Sequence, residues 1–150
     1  MDSIWFDEAR VGMRFRTAAR TITETDVVNF AGVSGDFNEL HMNAEGMRDS
    51  PFGERIAHGA LVLSITTGLR GQLGIFDESI IAFAEIRGWR FVAPVFIGDT
   101  VHAMNEIVEL RETSKPDRGV MVQRVDVVNQ KGGVVQTGEM VTMLKRGARP

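Results

Sequence analysis

The apolar positions change rhythm partway along the chain. Near the start, Val27, Val28, Phe30 and Ala31 follow Thr23-Glu-Thr-Asp26, an N-cap residue with an acid three positions later. This predicts a short amphipathic helix. The helix runs into Ser34-Gly35-Asp36, where glycine is expected to end it. From Gly59 to about Leu73 the pattern differs: Leu61, Val62, Leu63, Ile65 and Leu69 fall on nearly every side, and Ala60, Ser64, Thr66, Thr67 and Gly68 are small. A helix that is apolar all round is expected to be buried.

The second half reads as strands. Ile80 to Val92, Thr100 to Arg111, Val120 to Asn129 and Val134 to Leu144 are rich in β-branched residues. Lys115-Pro-Asp-Arg-Gly119 and Gln130-Lys-Gly-Gly133 carry turn chemistry, which makes the last three strands antiparallel hairpins. A further strand is expected from Arg14 to Thr21. Strand, helices, then a run of strands predicts an α+β fold, an antiparallel sheet with helices on one face. No repeat or linker divides the chain, and 150 residues with a 43% hydrophobic fraction suit one domain over 1–150.

Composition narrows the function classes only slightly. A net charge of −3 with 25% charged residues provides no electrostatic footprint for nucleic acid. Asp2, Asp7, Glu8, Arg10, Arg14 and Arg16 interrupt any leader-like apolar run, and stretches such as Ile80 to Ala84 are too short to cross a bilayer. The expectation is a cytoplasmic protein without a membrane partner. There is no cysteine for a disulfide framework.

The chemistry concentrates in Phe30-Ala-Gly-Val-Ser-Gly-Asp-Phe-Asn-Glu-Leu-His41 and the later Ile56-Ala-His-Gly59. Asp36 and His41 stand five residues apart, and a loop begun by glycine can turn both side chains toward one point, where one water would bridge them. A carboxylate and an imidazole sharing a water suit addition to a carbon chain that carries a carbonyl, because one group accepts a proton while the other supplies one. Gly59 sits where the apolar helix begins, so its N–H, backed by the helix dipole, is a candidate donor to an enolate oxygen. A thioester suits such a site, since its carbonyl acidifies the α carbon without metal or redox cofactor.

These residues resemble the MaoC-like dehydratases, the family that includes the R-specific enoyl-CoA hydratases. That pattern runs aromatic-Ala-x-x-Ser/Thr-Gly-Asp-x-Asn-Pro-hydrophobic-His and later hydrophobic-Ala/Val-His-Gly. The chain supplies Phe30, Ala31, Ser34, Gly35, Asp36, Asn38, Leu40, His41, Ala57, His58 and Gly59. The likeness continues through Phe91-Val-Ala-Pro-Val-Phe-Ile-Gly-Asp-Thr100. Glu39 departs from it, standing where the family usually has proline, so the loop loses a fixed φ angle.

The resemblance implies a hot-dog fold, a curled antiparallel sheet wrapped around a central helix, and a homodimer joined edge to edge. It implies hydration of trans-2-enoyl thioesters, or dehydration of R-3-hydroxyacyl thioesters, carried by coenzyme A or an acyl carrier protein. Asp36 and His41 would be catalytic; Gly59, Thr67 and Asn38 would lie at the substrate, although bonding its own loop is the preferred reading of Asn38. Coenzyme A enters only as part of the substrate. Other readings are a hot-dog thioesterase and a non-catalytic thioester-binding partner subunit.

Further residues have plainer readings. His58 suits a structural role before the helix. Without His-Glu-x-x-His or paired cysteines no metal is expected. Gly68-x-x-Gly71-x-x-Gly74 lacks the start of a dinucleotide site and reads as helix packing and a helix end. Arg48, Arg55, Arg70, Arg87 and Arg90 are candidates for coenzyme A phosphates, or solvated surface charge.

Overall fold

A computed structural model describes residues 2–147. Four long strands, β3 (Ile80–Phe91), β4 (Thr100–Glu112), β5 (Arg118–Val128) and β6 (Val134–Lys145), carry most of the backbone pairing. The turns after β4 and β5 make antiparallel hairpins, as their residues predict, and β3 pairs antiparallel with β6 rather than with its chain neighbour. The stretch expected as one strand from Arg14 to Thr21 is broken into β1 (Arg14–Arg16) and β2 (Arg20–Thr21), both paired with β4. The sheet therefore runs β1-β4-β5-β6-β3, with β2 also on β4. Register shifts within the β3–β6 and β4–β5 pairings bend the strands.

The first helix is α1 (Glu24–Ser34), begun by the expected capping box. The Thr23 hydroxyl accepts from the Asp26 N–H, and the Asp26 carboxylate accepts from the Thr23 N–H. Two single-turn helices follow, α2 (Glu39–Met42) and α3 (Ala44–Met47), neither legible as periodicity because each is only one turn long.

Helix α4 (Gly59–Gly71) is the central helix. Its Leu61, Val62, Ile65 and Leu69 pack with Val101 of β4, Val127 of β5, Val135 of β6 and Ile22 and Val27 to form the main core. Burial of side chains of this size contributes about 1.5–3 kcal/mol each, which is why the apolar face sits against the sheet. The arrangement is the hot-dog fold that the sequence resemblance implies. The helix is not buried on every side, however. Ala60, Ser64, Thr67, Gly68 and Gly71 form an exposed stripe, because a single sheet covers only one face. Of the small residues that look like all-round burial, Thr66 is buried and the others mark the open side.

Candidate active site

The site begins where α1 stops. Gly35 takes φ 76°, a left-handed conformation that costs glycine nothing, and its N–H donates to the Ala31 carbonyl. The Ser34 hydroxyl donates to the Phe30 carbonyl and accepts from the Asp36 N–H at 3.1 Å. Asp36 Oδ1 then accepts from the Asn38 N–H at 3.1 Å, and Asn38 Oδ1 from the Leu40 N–H at 2.9 Å. Each polar side chain thus orders the backbone two residues on, and the chain of turns delivers His41 into α2. Asn38 has the loop-bonding role that its residue type suggests: it is the N-cap of α2. Glu39 opens the helix without the proline's fixed φ.

His41 is buried, and its ring is oriented by a second segment. Its Nδ1 lies 2.7 Å from the Ile56 carbonyl; a carbonyl only accepts, so Nδ1 carries a hydrogen. Proton exchange is thereby left to Nε2, which faces Asp36 Oδ2 across 3.7 Å. One carboxylate oxygen of Asp36 is held by the loop, and the other looks toward the imidazole from a side chain that is half exposed. The Ile56 segment is itself tied down: the Ile56 N–H donates to the Leu40 carbonyl, and the Ala57 N–H to the Val95 carbonyl.

His58 lies under this pair. Its ring stacks on that of His41, centroids 3.7 Å apart, and meets the Phe30 ring edge-on at 5.0 Å. Its Nε2 donates to the Asp36 backbone carbonyl at 2.9 Å, and its Nδ1 is buried with no hydrogen-bond partner among the described residues. The structural role expected for His58 is therefore specific: it holds Asp36 in place. The fold also gathers Asp36, His41 and His58 so that one ligand atom from each lies within 4.8 Å of the others. This is a cluster able to hold a cation, formed by residues whose spacing has no metal signature.

Gly59 opens α4, where the first N–H groups lack intrahelical acceptors. A Cβ there would stand 2.6 Å from Cδ1 and Cε1 of Phe91, so the glycine permits a close approach. Its carbonyl accepts from Gln136 Nε2 at 3.0 Å, and Gln136 Oε1 accepts from Trp89 Nε1 at 3.0 Å. Those two side chains pin the start of the helix to β6 and β3. Gly59, Ile56 and Phe91 line a cavity of about 470 Å³. Thr67 is not brought to this cavity. It stands about 12 Å further along the helix, donates its hydroxyl to the Ser64 carbonyl and lines a different cavity with Arg70.

Gln136, Trp89 and the partners of Arg70 are not picked out by sequence reasoning. A signal was available: Gln123 and Gln136 occupy buried positions of strands whose other buried residues are mostly apolar, and a polar side chain in such a place needs a partner. Of the candidate phosphate arginines, Arg48, Arg55 and Arg87 pair with Glu45, Glu24 and Glu85. Arg90 is exposed, and Arg70 is turned toward the sheet.

Residues 7–130 match the MaoC like domain. The chain is 34% identical over 137 residues to the (R)-specific enoyl-CoA hydratase of Aeromonas caviae, covering 91% of this chain and 92% of that one. Against the protein MaoC of Klebsiella aerogenes it is 39% identical over 97 residues, 65% of this chain but only 28% of that protein's length. Among solved structures, the monoamine oxidase regulatory protein from Archaeoglobus superposes with a TM-score of 0.92 at 36% identity, over 97% of both chains. With the motif, the fold and these likenesses in agreement, the chain belongs to the MaoC-like domain family.

Proposed function

We propose that the protein adds water reversibly to trans-2-enoyl thioesters, giving R-3-hydroxyacyl thioesters. The observation that carries this reading is the 3.7 Å between His41 Nε2 and Asp36 Oδ2. That gap is too long for a good direct hydrogen bond, and a water about 2.8 Å from both atoms would bridge it. In hydration the water oxygen bonds to the β carbon as one of the pair takes its proton. The π electrons of the double bond move toward the carbonyl, and the pair returns a proton to the α carbon. Dehydration runs the same steps backward, with base and acid exchanged. We assign the transient negative charge on the thioester oxygen to the Gly59 N–H, at the positive end of α4. The name of the Aeromonas relative, an (R)-specific enoyl-CoA hydratase, supports the reaction class and the stereochemistry.

Assembly as a homodimer is part of this proposal. Strand β3 is an edge of the sheet, and its Ile80 and Phe83 are each 45% exposed. An unpaired apolar edge is the feature that pairing with a second copy would cover. No helix among the described residues is long and apolar enough to cross a membrane.

Incubation with crotonyl-CoA, following loss of the conjugated double bond and resolving the product chirally, tests the activity. The expected product is R-3-hydroxybutyryl-CoA, formed equally after treatment with a chelator. Release of free thiol alone would move the protein to the thioesterases. Activity lost to the chelator and restored by zinc would make the Asp36, His41 and His58 cluster a metal centre.

A further inference from the structure

Arg70 lies in the last turn of α4, about 16 Å along the helix axis from Gly59. Its guanidinium is directed at three strands. Nε donates to Asn105 Oδ1 of β4 at 2.8 Å, Nη2 to Gln123 Oε1 of β5, and Nη1 to Met140 Sδ of β6 at 2.8 Å. Every one of these acceptors is neutral. A guanidinium has five N–H groups, and three of them bond side chains of the sheet among the described residues. Burial pulls the pKa of Arg70 down to about 10, and no ion pair joins it to a carboxylate among the described residues.

Arg70 and its partner Gln123 line a cavity of about 300 Å³ whose other walls include Ile75, Phe76, Phe83, Met121 and Thr142. Asp77 also borders this cavity, but it forms no ion pair with Arg70 among the described residues. A partly buried cation in apolar surroundings is costly unless an anion offsets it, and an arginine fork matches the two oxygens of a carboxylate. Apolar walls around one cation therefore define a ligand with an apolar body and an anionic end. We propose that this cavity binds a carboxylate carried on an apolar chain, with Arg70 as its anchoring cation. Two sources share that chemistry: the far end of a dicarboxylic acyl thioester, or a free monocarboxylic acid. The thioester source rests on the hydratase reading above; binding of the carboxylate does not.

Calorimetry on the intact protein separates the outcomes. The ligands are saturated dicarboxylic coenzyme A thioesters from succinyl to dodecanedioyl, the monocarboxylic thioesters of equal length, and free hexanoate. None is turned over by a hydratase, so failure here is distinct from failure of the crotonyl-CoA assay. A dicarboxylic thioester of one length is expected to bind about tenfold or more tighter than its monocarboxylic counterpart, with Arg70→Met erasing the preference and Arg70→Lys keeping part of it. If the thioesters do not differ but hexanoate binds and Arg70→Met abolishes that binding, the free acid is the ligand. Equal affinity within every thioester pair together with no Arg70-dependent binding of hexanoate overturns the proposal. The wild-type comparisons stand even if Arg70→Met does not fold.

Discussion

The Nε2–H of His58 donates to the backbone carbonyl of Asp36 across 2.9 Å, joining residues 22 positions apart. The same ring stacks on His41, so one side chain positions both members of the proposed dyad. His58→Ala is expected to lower kcat by roughly tenfold, less than loss of either dyad residue. His58→Gln, which keeps an N–H donor, is expected to recover part of the loss. Measuring kcat and KM for both variants decides between positioning and direct proton transfer: a His58→Gln enzyme no better than His58→Ala would count against positioning.

Asp36 and His41 act on one water in the proposed mechanism, so their losses are not expected to add. Asp36→Asn and His41→Ala should each reduce kcat by roughly a hundredfold or more, and the double variant should be little worse than either. The comparison is made on folded protein checked by circular dichroism. Near-wild-type turnover in Asp36→Asn would falsify the dyad and leave Asp36 as a turn residue.

Gly59→Ala places a methyl 2.6 Å from two ring carbons of Phe91. Phe91 is 61% exposed, so its ring is free to swing aside, and the loss of stability should stay within about 1 kcal/mol. Catalysis should suffer more, since the methyl occupies the approach to the Gly59 N–H. Adding Phe91→Ala is expected to restore the melting temperature but not kcat/KM. Restoration of both would assign Gly59 to packing against Phe91 and remove it from the substrate site.

The capping box at α1 supports the loop that bears Asp36. Thr23→Ala is expected to cost about 1 kcal/mol. Desolvation works to raise the Asp26 pKa, but hydrogen bonds from the Thr23 backbone and hydroxyl and from Arg20 outweigh it, and the net shift is downward. A carboxyl with a depressed folded pKa contributes stability above its unfolded pKa, near 4, and that contribution is lost as pH falls through the folded value. Asp26→Asn should therefore destabilise the protein at neutral pH and lose its effect in acid. Denaturant midpoints for wild type and variant across that range test the sign, and a constant difference down to the lowest pH would contradict it.

Features resting on neighbours in the chain were legible from the residues alone. The four long strands, the capping box, the glycine stop at Gly35 and the start of α4 follow from periodicity and local hydrogen bonding, which depend on residues within one turn or one hairpin. The Asp36–His41 pair was legible for the same reason, since successive side-chain-to-backbone bonds carry the chain from one to the other. Packing between elements decided the rest. The open face of α4 follows from the sheet covering only one side of it. The bonds that join His58 to Asp36, Gln136 to Gly59 and Arg70 to three strands depend on sheet register and helix placement. Sequence alone determined which residues were available for chemistry; tertiary structure decided which of them meet, because polar groups 22, 77 and 35 residues apart find their partners only after apolar burial has set the distances between elements.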